Sequence, residues 1–164
     1  MELDLDIESW PAGEWEVLTH RAVKAAASGA PELANKRLTT SLVFTSDAEV
    51  HALNRQWRRR DKPTNVLSFP MLARDELLAL ESEGPPIMLG DLALAYETCD
   101  REAEQKSIPL EHHAGHLIVH GMLHLAGYDH ETSDADAEKM EALETRILAK
   151  MGIADPYGDR DQEE

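Results

Sequence analysis

A single cysteine, Cys99, stands among 164 residues. It excludes an intramolecular disulfide and any thiolate cluster, so a metal site in this chain must be built from histidine and carboxylate. Long apolar runs are missing as well, and none approaches the roughly 20 residues that a membrane-spanning helix needs. The acidic start, MELDLDIES, lacks the basic and apolar regions of a signal peptide. These absences lead to the expectation of a soluble, cytoplasmic protein with no membrane partner. Positive charge is scarce too, at 16 Lys and Arg against 32 Asp and Glu, for a net charge of −16. Taken globally this opposes nucleic-acid binding, which draws most of its affinity from neutralising phosphates. Any basic contact surface has to be local, and no DNA partner is expected.

What is present suffices for one ordinary domain, with 42% of residues hydrophobic. A single domain over residues 1–155 is expected, followed by a polar, flexible tail at 156–164. LDLDIES alternates Leu3, Leu5 and Ile7 with acids and predicts a strand. A helix follows over Trp15–Ser28, with Gly29 at its end, and RLTTSLVFTS predicts a second strand. Ser46 and Glu49 fit a capping box that opens a helix over Asp47–Arg58. VLSFP is a short strand stopped by Pro70, and the acidic segment 71–86 is a surface excursion with a helical turn. IMLGDLALAY is a further strand with a bulge at Gly90, followed by helices at 97–106 and 109–126. Ser133 caps a last helix over 134–151 whose stripe is Met140, Leu143, Ile147 and Leu148, with Gly152 just past its end. Strands and helices mix without strict alternation, which predicts an α+β domain: a small mixed sheet of about four strands with helices packed on it.

The stretch VHGMLHLAGYDH holds His120, His124 and His130, and with His112, His113 and His116 just before it the segment offers six candidate histidines. Helix geometry sorts them. His116, His120 and His124 fall on nearly one face, but 116 and 124 are roughly 12 Å apart along the axis at about 1.5 Å per residue. A metal needs nitrogens at about 2.0 to 2.1 Å, so only an adjacent pair can converge on one ion. The third ligand must come from chain that turns back. Gly127, midway between His124 and His130, supplies that turn, because glycine readily takes the left-handed conformation that closes a helix. This selects His120, His124 and His130. Taken singly, His112, His113 and His116 are better explained as hydrogen-bonded core or surface residues. Three neutral nitrogens with no fourth protein ligand leave an open coordination position, the arrangement of catalytic zinc, which acidifies a water or polarises an oxygen. Asp129 is placed to orient a ligand imidazole or to sit as an exposed turn residue.

The same spacing occurs in the metallopeptidase signature HExxHxxGxxH, with one difference. Where that signature has its general-base glutamate, this chain has Gly121, which accepts no proton. NRQWRRRDKPTNVLSFP then places Arg55, Arg58, Arg59, Arg60 and Lys62 within eight residues. As single residues these suit the cation-favouring end of a helix. As a cluster in an acidic chain they form a confined positive patch suited to a phosphodiester backbone.

LNRQWRRRDKPTNVLSFP, GDLALA and HGMLHLAGYDH together resemble the YbeY family of bacterial metal-dependent endoribonucleases, and the likeness runs from the second strand to the last helix, including MEALE. The resemblance implies a single-strand-specific endoribonuclease acting in rRNA maturation, notably at the 3′ end of small-subunit rRNA, and in ribosome quality control. It implies one zinc ion on His120, His124 and His130, and Arg58 as the functional arginine. The expected partners are single-stranded RNA, rRNA and the ribosome or its proteins. Two other classes compete: a metallopeptidase with a different base, and a non-catalytic assembly factor in which zinc pins the helix to the following turn.

Overall fold

Alternation along the strands builds the sheet. Strand β1 (Glu2–Ile7) half-buries Leu3 and Leu5 and exposes Asp4 and Asp6, while β2 (Leu38–Thr45) buries Leu38, Thr40, Leu42 and Phe44 and leaves Thr39, Ser41 and Val43 half-buried. This period of two directs one face to a core and leaves the other more open. With β3 (Val66–Pro70) and β4 (Ile87–Ala95) they form a four-stranded sheet in the order β1-β2-β4-β3. The β1/β2 and β2/β4 pairs are parallel and β3 runs antiparallel to β4, so the sheet is mixed, as expected. Pro70 is accommodated because β3 lies at an edge, where a missing N–H breaks no ladder. The register between β2 and β4 shifts so that Thr39 pairs with Met88 and Thr40 with Gly90, which is the irregularity expected at that glycine.

The computed structural model describes residues 1–58, 64–128 and 133–157, with Arg58 described by its backbone alone. The helices within these stretches are α1 (Trp15–Gly29), α2 (Asp47–Arg58), α3 (Arg74–Leu78), α4 (Tyr96–Lys106), α5 (Leu110–Leu125) and α6 (Asp134–Lys150). Leu42, Phe44, Leu92 and Leu94 join the main core with Val23, Ile118, Met122, Leu143 and Ile147 from α1, α5 and α6. On the opposite face a smaller cluster unites Val50 of α2 with Leu67, Ala93 and Ala95. The alternating side chains of β4 thus serve two cores, which explains why that central strand is apolar almost throughout. Helix α5 is buried on most of its circumference, from His113 to Leu125, and contacts the sheet, α1, α4 and α6. Both expected N-caps form: Ser46 Oγ accepts the Glu49 N–H at 3.2 Å, and Ser133 Oγ accepts the Asp136 N–H at 3.1 Å. Among the described residues no helix is long and apolar enough to cross a membrane.

The acidic 71–86 excursion is tied down more firmly than its composition suggested. It contains α3, whose Leu77 is buried, and Arg74 donates to the Ala126 carbonyl at 2.7 Å and to Glu32 Oε2 at 3.0 Å. Arg74 thereby satisfies a carbonyl at the C-terminus of α5, one of the acceptors that a helix end leaves without an intrahelical partner. A short 3-10 turn at Pro31–Ala34, which no local pattern announced, buries Leu33.

Candidate metal centre

His120 and His124 lie one turn apart on α5, and their Nε2 atoms face each other at 2.9 Å. Two imidazole nitrogens held at about 2.0 to 2.1 Å by a tetrahedral ion would stand about 3.4 Å apart. A few tenths of an ångström of opening would therefore admit a shared cation. Past this pair the helix ends as expected. The Gly127 N–H bonds the His124 carbonyl at 3.0 Å and the Tyr128 N–H bonds the Leu123 carbonyl at 3.0 Å, the paired bonds of a Schellman closure. Gly127 adopts φ +95°, and a Cβ there would lie 2.6 Å from Cβ of Arg74, so both conformation and crowding require glycine. The expected third ligand, His130, and its neighbour Asp129 lie outside the described residues.

Beneath the pair lies a carboxylate. Glu144 of α6 is 0% exposed, and its Oε1 accepts from His120 Nδ1 at 2.5 Å. Its Oε2 meets His116 Nε2 at 3.1 Å and accepts the Tyr157 hydroxyl at 2.6 Å. Burial by itself would raise the carboxyl, but hydrogen bonds from His116, His120 and Tyr157 outweigh it and hold Glu144 at about 2. Burial also lowers His116, despite the opposing pull of Glu144, so this histidine stays neutral near neutral pH. Its Nε2 carries the proton donated to Glu144, and its buried Nδ1, which has no hydrogen-bond partner among the described residues, is the unprotonated nitrogen. His120 turns Nδ1 toward the same carboxylate, which can only accept, and its Nε2 faces His124.

Among the described residues, two arrangements of donors face a possible metal position. One donor atom each from His116, His120 and Glu144 lie within 4.8 Å of one another. An ion among them would have to displace the hydrogen bonds that satisfy the buried carboxylate. An ion between the His120 and His124 Nε2 atoms displaces none of these and leaves the carboxylate holding His120 from behind, the usual relation between a carboxylate and a metal-bound imidazole.

Gly121 closes off the peptidase arrangement. It is buried against β4, where a Cβ would lie 2.7 Å from Leu92 Cδ2, so a glutamate at this position would collide with the core. Toward the N-terminus of α5, His113 Nε2 pairs with Glu102 Oε1 at 2.9 Å, and Asn65 Nδ2 donates to the same oxygen at 2.9 Å. The bond from His113 is the largest influence lowering the Glu102 carboxyl. His116, expected as a core histidine, is buried and hydrogen-bonded to the same Glu144 carboxylate as His120.

Sequence reasoning missed Glu144 and Tyr157. The signal for Glu144 was present: it falls inside the apolar stripe of α6, four residues after Met140 and three before Ile147, at a position where a carboxylate needs a buried partner. Tyr157 gave no local signal and belongs to the segment expected as a loose tail. Arg58 is the last residue of α2, beside the exposed Trp57. The Arg58 side chain and all of Arg59, Arg60 and Lys62 lie outside the described residues.

A family profile described as Endoribonuclease YbeY matches residues 6–152. A relative named Endoribonuclease YbeY from Erythrobacter litoralis is 69% identical over 160 residues, covering 98% of this chain and 99% of its own. Another of that name, from Novosphingobium aromaticivorans, is 57% identical over 162 residues, covering 98% and 97%. A Thermotoga maritima protein solved in solution matches with a TM-score of 0.55 at 22% identity over 91% of each chain, a likeness of fold alone.

Proposed function

The chain belongs to the Endoribonuclease YbeY family, and from that premise we propose that it is a zinc-dependent endoribonuclease specific for single-stranded RNA. Its substrate in this reading is ribosomal RNA, matured at the 3′ end of the small-subunit species and surveyed in ribosome quality control, in the cytoplasm and in contact with the ribosome. The observation that carries the metal is the facing of His120 Nε2 and His124 Nε2 at 2.9 Å, on a helix closed by Gly127. That donor set suits zinc, which favours imidazole nitrogen, and His130 is proposed as the third ligand of a single ion.

Bound zinc would supply Lewis-acid chemistry at the scissile phosphodiester. The protein's own groups do the rest. His120 is held by Glu144 with its Nε2 lone pair outward, and the half-buried pair leaves one side of the site open to substrate. Arg58 is the catalytic residue, its guanidinium opposing the negative charge that grows on the phosphoryl oxygens in the transition state. Arg59, Arg60 and Lys62 hold the flanking backbone, which gives an acidic protein a local grip on RNA. The attacking group is either water or the RNA's own 2′-hydroxyl.

The test is cleavage of matched single-stranded and duplex RNAs by zinc-loaded protein, with the product ends identified. Single-stranded RNA alone should be cut. A 2′,3′-cyclic phosphate assigns the attack to the 2′-hydroxyl and a 5′-phosphate assigns it to water. Arg58→Ala should lower kcat by about 100- to 1,000-fold, as loss of one oxyanion donor does, with zinc content unchanged. Equal cutting of duplex and single strand, or full activity after zinc removal, would contradict the proposal.

A further inference from the structure

A fully buried carboxylate is tolerated only when it is paired and hydrogen-bonded. Glu144 meets that condition with side chains of one small region: His120 through Oε1, and His116 and Tyr157 through Oε2. Three parts of the chain converge on it, α5, α6 and the segment beyond α6, where Tyr157 also packs edge-on against the His116 ring at 5.7 Å between centroids. Nothing about the stability of α6 calls for an acid there, since the neighbouring stripe of Met140, Leu143 and Ile147 is apolar.

We propose that Glu144 is the positioning residue of the metal centre: it fixes the proton of His120 on Nδ1 and presents Nε2 as a ligand, and Tyr157 locks Glu144 in that role. This rests on the reading above, in which His120 and His124 hold the ion. A neutral imidazole in water prefers its proton on Nε2, the nitrogen that must be bare to bind metal. The short bond to Glu144 reverses that preference and also sets the ring's rotation, so less rearrangement is needed when the ion arrives. Tyr157 removes one freedom from the carboxylate by donating to Oε2, which leaves Oε1 aimed at His120. The residues following α6 thereby become part of the site.

The experiment compares zinc affinity, by competition with a chromophoric chelator, in the full-length protein and in Glu144→Gln, Tyr157→Phe, Glu102→Gln and His124→Ala. The His120 tautomer is read in parallel from 15N chemical shifts of the zinc-free proteins. Glu144→Gln should weaken zinc binding by about 10- to 100-fold, the range found for partners of ligand histidines. It should also move the His120 proton at least partly to Nε2. Tyr157→Phe, which keeps the ring and removes only the hydroxyl, should weaken zinc by a smaller factor and leave the fold intact. Glu102→Gln, at the other carboxylate contacting α5, should leave zinc affinity unchanged within about twofold. If His124→Ala binds zinc as tightly as wild type, the site itself is wrong. If His124→Ala loses zinc while Tyr157→Phe and folded Glu144→Gln keep wild-type affinity and an Nδ1–H His120, the positioning role is overturned. Should Glu144→Gln fail to fold, Tyr157→Phe alone decides by the same criteria. A purely structural role would lower the melting temperature and leave the affinity of the folded protein untouched.

Discussion

The two halves of α5 each carry a histidine held by a glutamate, yet they end in different chemistry. At the N-terminal half, Glu102 takes Nε2 of His113, the outer nitrogen, and also accepts from Asn65; His113 Nδ1 is buried with no hydrogen-bond partner among the described residues. At the C-terminal half, Glu144 takes Nδ1 of His120, the inner nitrogen, and the outer one is delivered to His124 at 2.9 Å. The residue types are the same in both places, and under the proposed function the choice of ring nitrogen is what separates a carboxylate–histidine staple from the base of a metal site. Glu144 engages His120 at Nδ1 and leaves Nε2 to face His124, whereas Glu102 engages His113 at Nε2 itself.

The largest expected effect separates the halves outright. His124→Ala should abolish stoichiometric zinc and reduce RNA cleavage to background, while His113→Ala should keep the zinc and cost stability instead, on the order of 1–3 kcal/mol for the partner it leaves behind. Elemental analysis and calorimetry of the two variants check this.

The next effect is acid sensitivity. Glu144 has an ordinary value of 4.5 and is held at about 2 in the fold. A depressed carboxyl contributes stability that is complete above its unfolded value and is lost as the pH falls through the folded one. The contribution should therefore drain away between pH 4.5 and about 2, and it amounts to about 3 kcal/mol at most. Glu102 is lowered as well, with the same sign. Its side chain is 31% exposed, so solvent screening makes its share the smaller. Urea unfolding between pH 5 and pH 2.5 should show a steep loss in wild type, most of it retained in Glu102→Gln and most of it absent in Glu144→Gln.

A third expectation concerns the turn that only the C-terminal half possesses. Gly127→Ala places a Cβ at φ +95° and against Arg74, and should cost about 1–3 kcal/mol. For a chain of this size that is a fall of roughly 2–12 °C in melting temperature. If His130 is the third ligand, as proposed, the same variant should also weaken zinc. The smallest effect is expected for Glu102→Gln at neutral pH: a loss of about 1 kcal/mol or less, with zinc content unaltered.

Much of this architecture was legible because its causes are local. Alternation in LDLDIES and in Leu38–Thr45, the hydroxyls of Ser46 and Ser133, and Gly127 between two histidines each act within a few residues, and each appears where the pattern placed it. The contacts that assemble the site are not local. Glu144 reaches His120 across 24 positions, Tyr157 reaches His116 across 41, and Arg74 reaches Ala126 across 52. No periodicity reports such pairings. The acid in the stripe of α6 marked a buried charge, but nothing in the chain named its partner. Gly121 stands where the peptidase signature has its base, and the packing of Leu92 on that spot is the steric reason for it.

The proposed metal centre is defined by which ring nitrogens take the ion. 15N-detected NMR of the histidine side chains during zinc titration reads this directly. Zinc should shift Nε2 of both His120 and His124 into the range of metal-bound nitrogen, while His120 Nδ1 keeps its proton and the signals of His116 stay those of a neutral ring. A spectrum in which His120 binds through Nδ1, or in which His116 becomes a ligand while His124 does not respond, would place the ion on Glu144 and contradict the account.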